Sequence, residues 1–154
     1  MKYLIIIFFS LNIGIFAQGR LPSDKNKTVS SDVKMIPQKL KQKTSAFFEF
    51  LLDSNVSAGY NELFKDSFIK DQTGKIQALI NQTHRAFQIY GRLKGYEPVN
   101  AEQISKSFIR VRFIGLHSRF PMRWIFTFYN APENGWILTN VTFDDLTEFY
   151  FSDE

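Results

Sequence analysis

The fold is decided by residues 106–143, which read KSFIRVRFIGLHSRFPMRWIFTFYNAPENGWILTNVTF. Three runs rich in Phe, Ile, Val, Trp and Tyr are separated by two short segments of turn residues, 117–122 and 130–135. Apolar and polar side chains alternate along the runs, and Pro, Asn and Gly punctuate the gaps between them. This pattern predicts three consecutive antiparallel strands joined as a meander.

Alternation assigns the side chains to the two faces of the sheet, because successive residues of a strand point to opposite sides. In the second run Trp124, Phe126 and Phe128 share one wholly apolar face, which we assign to the core beneath helices. In the third run the same alternation gives one face with Ile137, Val141 and Phe143, and an opposite face with Trp136, Leu138, Asn140 and Thr142. A sheet with one apolar and one mixed face is covered on one side only.

Three helices are predicted before the meander. Residues 38–52 and 57–64 carry apolar side chains at spacings of three, four and seven, and a third, longer helix spans about 73–93 and stops at Gly95. Residues 96–99 are interpreted as a short edge strand, and the acidic stretch after Phe143 as a loop or frayed helical turn. The helical stripes that we expect to face the core are Leu40, Phe47, Phe48, Leu51, Leu52, Tyr60, Leu63, Phe64, Ile76, Leu79, Ile80, Thr83, Phe87 and Tyr90.

Helices followed by an antiparallel sheet predict an α+β fold, with three N-terminal helices packed on a curled sheet to form a cone-shaped roll. The sheet is expected to curl because its twist would otherwise leave the longest helix in contact with only part of it. A curled sheet wrapped on helices leaves a cone, and a cone can hold a ligand.

The N-terminus has the features of a secretory signal: Lys2, an apolar block over residues 3–16, and Ala17 before Gln18. We therefore divide the chain into a signal peptide (1–17), a flexible leader (18–37), one folded domain (38–148) and an acidic tail (149–154). The mature protein is expected to be exported, periplasmic or secreted, and soluble, with no membrane contact after cleavage.

Charge and composition exclude several functional classes. The net charge is +4 and the 19 basic residues are spread along the chain, whereas nucleic-acid binding concentrates them on one face. The chain has no cysteine, which excludes iron–sulfur clusters, thiol catalysis and a lipidated cysteine at the cleavage site. The two histidines, His84 and His117, do not form a metal site by spacing, and we expect no cofactor.

Several motifs within this element order resemble a known superfamily. They are YGRLKGY at residues 90–96, RWIFTFY at 123–129, and GWIL at 135–138 followed by Phe143-Asp144-Asp145. The order of helix, short helix, long helix and meander, with these motifs, resembles the nuclear transport factor 2-like (cystatin-like roll) superfamily over about residues 38–146. More narrowly, the three motifs look like those of a bacterial exported branch of this superfamily. The resemblance implies the roll fold but no chemistry, because this roll hosts isomerases, dehydratases, transport adaptors and accessory domains.

Three residues are candidates to contact a ligand in the cone. His84 lies at the edge of the helical stripe and could act as a general base, although a half-buried structural histidine is the alternative. Tyr60 and Tyr90 are further candidates for a titrating group. His117 stands at a strand end and is interpreted as a loop histidine.

Two arginines form a second candidate site. Arg110 and Arg112 share one strand face about 7 Å apart by strand rise, near Arg123 if the hairpin pairs as expected. Three guanidiniums together could hold a carboxylate or phosphate. The alternative is that they pair with acidic side chains or lie on the solvent face.

The outer face of the predicted sheet is more apolar than solvent exposure warrants. Such patches mark interfaces, so we expect a homodimer or protein contact there, through Ile125, Tyr129, Trp136 and Leu138.

Two functions remain open. The first is a non-enzymatic exported binding or interaction domain for a small apolar ligand or a protein partner. The alternative is a small lyase or isomerase with its active site in the cone.

Overall fold

The computed structural model describes residues 32–151, and the predicted signal peptide lies outside them, with residues 18–31 and 152–154. Three helices, α1 (Gln38–Leu52), α2 (Val56–Phe64) and α3 (Thr73–Tyr90), precede four strands, β1 (Leu93–Ser105), β2 (Phe108–His117), β3 (Met122–Ala131) and β4 (Gly135–Asp144). The short 3₁₀-helices are Val33–Met35, Phe68–Asp71 and Thr147–Tyr150. The strands form one antiparallel sheet in the order β1-β2-β3-β4, so the predicted α+β class and meander are confirmed.

Helix α1 has the bounds predicted from its apolar spacing, and Leu40, Phe47 and Leu51 are buried on its inner face. It ends where Ser54 adopts a positive φ of 61°. The side chain of Asn55 then accepts a hydrogen bond from the backbone N–H of Ala58 and so caps α2. The predicted break between the first two helices is therefore confirmed.

The third helix is shorter than predicted. It ends at Tyr90 because Gly91, not Gly95, takes the positive φ (88°) that terminates the helix. The chain turns there and enters β1, which runs for 13 residues instead of the four predicted at 96–99. Pro98 does not end this strand, because β1 is an edge strand and its register shifts beside the proline.

A bulge in β4 corrects the face assignment of the third run. Thr127 of β3 pairs with Asn140, but the next residue, Phe128, pairs with Leu138, so Thr139 is an extra residue on β4. Before the bulge the side chains therefore point to the faces opposite to those predicted. Leu138 is fully buried on the core face, and Ile137 lies opposite Tyr129 on the outer face.

The folded region begins before Gln38. Residues 33–37 belong to the predicted leader, yet Val33–Met35 forms a 3₁₀-helix and Ile36 is buried in the core. At the other end Thr147–Tyr150 forms the helical turn expected as one alternative, and the Tyr150 hydroxyl donates to the carbonyl oxygen of Phe113 on β2. Within residues 32–151, no helix combines the length and apolar character needed to cross a bilayer.

Candidate functional site

The space between the helices and the inner sheet face is filled by the protein's own aromatic rings. Phe47 of α1 packs edge-to-face on Tyr60, Trp124 and Phe126, with ring centroids 5.1, 5.6 and 5.7 Å away. Its neighbour Phe48 stacks on Tyr96 of β1 at 4.4 Å. The predicted core residues of β3 are thus confirmed, and the middle of the predicted cone is a packed core.

Tyr60 belongs to that core. Its side chain is fully buried, and its hydroxyl lies 2.8 Å from the Thr83 hydroxyl. Thr83 donates its own proton to the carbonyl oxygen of Leu79, so Tyr60 is the donor to Thr83. Burial raises the pKa of the Tyr60 phenol, because it disfavours the charged phenolate. A phenol held in this way is poorly placed to exchange a proton with a ligand.

Tyr90 and His84 lie on α3 and have different surroundings from Tyr60. The Tyr90 hydroxyl donates to Asp145 Oδ2 at 2.6 Å, and this bond raises the pKa of the phenol. His84 is exposed on α3, not half-buried as the structural alternative expected. The structure therefore does not bring His84, Tyr60 and Tyr90 into one site.

The three arginines of the predicted anion site each have an acidic neighbour. Arg112 donates to Glu102 on β1 at 3.0 Å, and Arg110 lies 3.7 Å from the same carboxylate. Arg123 binds Asp144 with two parallel hydrogen bonds of 3.0 and 2.8 Å. The pairing with acids that the sequence left open is thus present, and a further anion would compete with these carboxylates.

The residues predicted to form an interface are divided between the two faces of the sheet. Ile125 and Tyr129 lie on the outer face, with Tyr129 exposed and Ile125 half-buried. Trp136 and Leu138 pack toward the core instead, because the bulge at Thr139 reverses their direction. Leu138 is fully buried and has no surface left for a partner, so its assignment to the interface is wrong.

A surface groove of about 410 Å³ lies where α3, the 3₁₀-helix Phe68–Asp71 and β4 meet. We call it the α3–β4 groove. Its α3 side is formed by Lys75, Ala78, Leu79 and Gln82, which follow one another at the spacing of a single helix face. The groove therefore runs along α3 for two helical turns.

The opposite wall comes from the end of α2, the 3₁₀-helix and the bulged part of β4. Phe64 and Ile69 form its apolar floor, and Thr139 and Val141 form its β4 side. The Ser67 hydroxyl holds the 3₁₀-helix against β4, because it donates to the Leu138 carbonyl oxygen at 2.8 Å while buried. Thr139, the extra residue of β4, directly follows Leu138. A bulge bends its strand, so the edge of β4 is displaced where it lines the groove.

The groove presents an apolar surface with few polar groups. Phe68, at its rim, is 61% exposed although it is a large apolar side chain. Of the described residues that line it, Lys75 is the only charged one, and the amides of Gln82 and Asn140 supply the other strong polar groups. Sequence reasoning missed this site, because Lys75, Ala78 and Gln82 only become a wall once β4 is placed beside α3.

A second polar feature lies in the core at the end of β2. His117 Nδ1 is 2.8 Å from the Gly91 carbonyl oxygen, which can only accept, so Nδ1 carries the proton and donates. Nε2 is buried without a hydrogen-bond partner among residues 32–151. Because burial disfavours the charged imidazolium, the pKa of His117 is lowered, and the hydrogen bond to Gly91 offsets this only in part.

We expect His117 to make the folded protein less stable as the pH falls below about 6.5, the ordinary histidine pKa. Its pKa is lower in the folded chain, so the unfolded chain binds more protons in this range and stability falls by at most about 1.4 kcal/mol per pH unit. Urea unfolding at pH 7.5, 6.5 and 5.5 measures the slope. His117→Gln should flatten it, and His84→Gln, an exposed histidine on α3, is the control. An unchanged slope in His117→Gln would contradict this origin.

No protein-family model, no curated protein and no solved structure matches this chain. Among the residues that the structure describes, no three His, Cys, Asp or Glu side chains lie together as a metal site would require. The function must therefore be argued from the groove and the surfaces themselves.

Proposed function

We propose that this protein is an exported, non-enzymatic binding domain that holds a small apolar ligand in the α3–β4 groove. The supporting observation is the groove itself, whose volume of about 410 Å³ falls within the range of roughly 300–1,000 Å³ common for small-molecule sites. Its lining is mostly apolar with a few polar groups at fixed positions, which is the composition typical of such sites.

The exposure of apolar side chains supports the same conclusion. Phe68 is 61% exposed at the rim, and Leu79 and Ile69 are only half-buried beneath it. Covering this surface with an apolar ligand would remove it from water and is therefore favourable. A ligand that fits would contact Phe64 at the floor, where the side chain is already part of the core.

The alternative of a small lyase or isomerase has less support. Of its candidate groups, His84 is exposed on α3 and Tyr60 is buried in the packed core. The third, Tyr90, is hydrogen-bonded to Asp145. A general acid or base must lie within hydrogen-bond reach of the substrate atom it serves. None of the three residues lines the α3–β4 groove.

Two further expectations remain predictions. A homodimer or protein contact through the outer sheet face would now involve Ile125 and Tyr129, joined by Ile137 in place of Trp136 and Leu138. Membership of the nuclear transport factor 2-like superfamily is supported by the element order, with three helices before the antiparallel sheet. Measurement of the mass in solution would test the first of these.

Filling the groove is expected to weaken ligand binding. Ala78→Trp places an indole in the lining at an exposed position of α3 and should weaken binding of the neutral apolar fluorophore Nile red at least about tenfold, a change of roughly 1.4 kcal/mol. Fluorescence titration measures the affinity. Gln77→Trp is the matched control, because it adds the same side chain one residue away, outside the lining.

The proposal fails if the wild-type protein shows no saturable binding of Nile red. It also fails if Ala78→Trp binds the dye as tightly as Gln77→Trp does. Thermal unfolding of each variant establishes that the comparison is made between folded proteins.

A further inference from the structure

We infer that the natural ligand of the α3–β4 groove is an apolar monocarboxylic acid whose carboxylate binds the ammonium group of Lys75. This inference rests on the proposed function and adds the chemical class of the ligand. It follows from the charge, the spacing and the polarity of the residues that line the groove.

Among residues 32–151, Lys75 is the one charged group that lines the groove, and no Asp or Glu of this part of the chain lines it. Within residues 32–151 Lys75 forms no ion pair, whereas Lys43, Arg112 and Arg123 each lie within 4 Å of a carboxylate. An ammonium group beside an apolar surface, with no carboxylate of residues 32–151 within 4 Å, attracts an anion that also brings apolar atoms. The lysine therefore supplies the charge complementarity that a carboxylate would use.

The position of Lys75 sets the direction of the ligand. Lys75 and Gln82 are seven residues apart on α3, which separates their backbones by about 10 Å along the helix axis. Between them on the same face lie Ala78 and Leu79, which are apolar. A carboxylate at Lys75 would thus leave its hydrocarbon chain to lie over Ala78 and Leu79 toward Gln82.

A monoanion fits this site better than a phosphate group. Phosphate carries close to two negative charges and is usually bound by Arg forks or several charged donors. Here a single lysine provides one positive charge, and the other strong donors are the neutral amides of Gln82 and Asn140. One carboxylate matches that charge and leaves no second negative charge unpaired.

The decisive comparison is between octanoate and octan-1-ol, which share an eight-carbon chain and differ in charge. Isothermal titration at low ionic strength should show octanoate binding up to about fivefold tighter, the range expected for a partly exposed ion pair. Lys75→Gln should remove this preference by weakening octanoate and leaving octan-1-ol unchanged. Lys94→Gln is the matched control, because Lys94 is an exposed lysine on β1 that does not line the groove.

Chain length and salt give two independent readouts. Each methylene added from hexanoate to octanoate should tighten binding about fourfold, because the added group is buried against Ala78 and Leu79. Raising the ionic strength should reduce the preference for octanoate over octan-1-ol, since salt screens a partly exposed pair. Both effects are measured on the wild-type protein.

The outcomes separate this inference from the proposed function. Equal binding of the two compounds, or equal loss of octanoate affinity in Lys75→Gln and Lys94→Gln, overturns the carboxylate assignment and leaves the apolar groove in place. Failure of both compounds and of Nile red to bind overturns the inference and the proposed function together. Tighter binding of octan-1-ol than of octanoate also overturns the assignment.

Discussion

Replacing Phe47 by alanine is expected to lower the free energy of unfolding by about 3–5 kcal/mol. Phe47 is fully buried on α1, and its ring touches those of Tyr60 on α2 and of Trp124 and Phe126 on β3. Alanine would leave a cavity between two helices and the sheet. The surrounding large rings can move to fill this cavity only in part, because the core is closely packed. Domains of this size are stable by only about 5–15 kcal/mol, so the loss is a large share of the total.

Urea unfolding followed by tryptophan fluorescence measures the change, because Trp124 lies at the contact. Phe47→Leu should cost less than Phe47→Ala, since it removes less volume. Phe151→Ala is the control, because Phe151 is 87% exposed and its replacement should change stability by less than about 0.5 kcal/mol. A cost below about 1.5 kcal/mol for Phe47→Ala would show that the helices do not depend on this ring.

Phe47 also shows why much of the fold could be predicted from the sequence. The apolar spacing of α1 and the alternation in β3 are local patterns, and each follows directly from the geometry of its element. The two patterns predict, independently of each other, that Phe47 of α1 and Phe126 of β3 are buried. In the structure the two rings contact each other. Where the period is regular, the sequence determines both the element and its buried face.

The errors arise where one residue interrupts a period. Thr139 is an ordinary strand residue by composition, and only its pairing with β3 makes it a bulge. That single insertion moved Leu138 from the predicted outer face to the core, because a shift of one residue reverses every side chain. Gly91 and Gly95 are both able to end a helix, and only the tertiary structure, in which the Gly91 carbonyl oxygen accepts from His117, distinguishes them.

The candidate site was the least predictable feature, because its parts come from distant segments. Lys75 and Asn140 are 65 positions apart in the chain, and nothing local in either segment indicates the other. The arginine pairs show the same limit, since Glu102 meets Arg112 only through the register of β1 on β2. Sequence patterns predict which face of a helix or strand is buried. A site forms only where the faces of particular elements meet, and the local sequence does not predict that.

Gly91→Ala is the second change with a large expected effect, and it should lower the free energy of unfolding by about 2–4 kcal/mol. Gly91 has φ 88° and ψ 173°, a conformation that side-chain-bearing residues rarely adopt. A Cβ atom built there would also lie 2.0 Å from the Ser118 hydroxyl oxygen and 3.4 Å from Arg119 Cγ. Rotation of the Ser118 side chain can move the hydroxyl away, but the new Cβ would still lie 3.2 Å from Ser118 Cβ, so the β2–β3 turn would have to shift by a few tenths of an ångström.

That turn is held firmly in place, so it cannot move without loss. The backbone N–H of Ser118 donates to the Arg92 carbonyl oxygen, and that of Arg119 donates to the Tyr90 carbonyl oxygen, at 3.0 and 2.9 Å. His117 adds its bond to the Gly91 carbonyl oxygen. Even a small shift of the turn would therefore weaken hydrogen bonds that join the helix end to the sheet.

Two matched variants separate backbone strain from the clash. Gly74→Ala introduces the same methyl group on α3, where nothing lies within 4 Å of the new Cβ, and should raise stability by up to about 1 kcal/mol. Ser118→Gly removes the hydroxyl that the methyl group introduced by Gly91→Ala would strike. The double variant with Gly91→Ala and Ser118→Gly should therefore regain only the part of the lost stability that is due to the clash. Urea unfolding of these variants beside the wild-type protein gives both contributions, and a Gly91→Ala variant at least as stable as the wild-type protein would contradict the role assigned to Gly91.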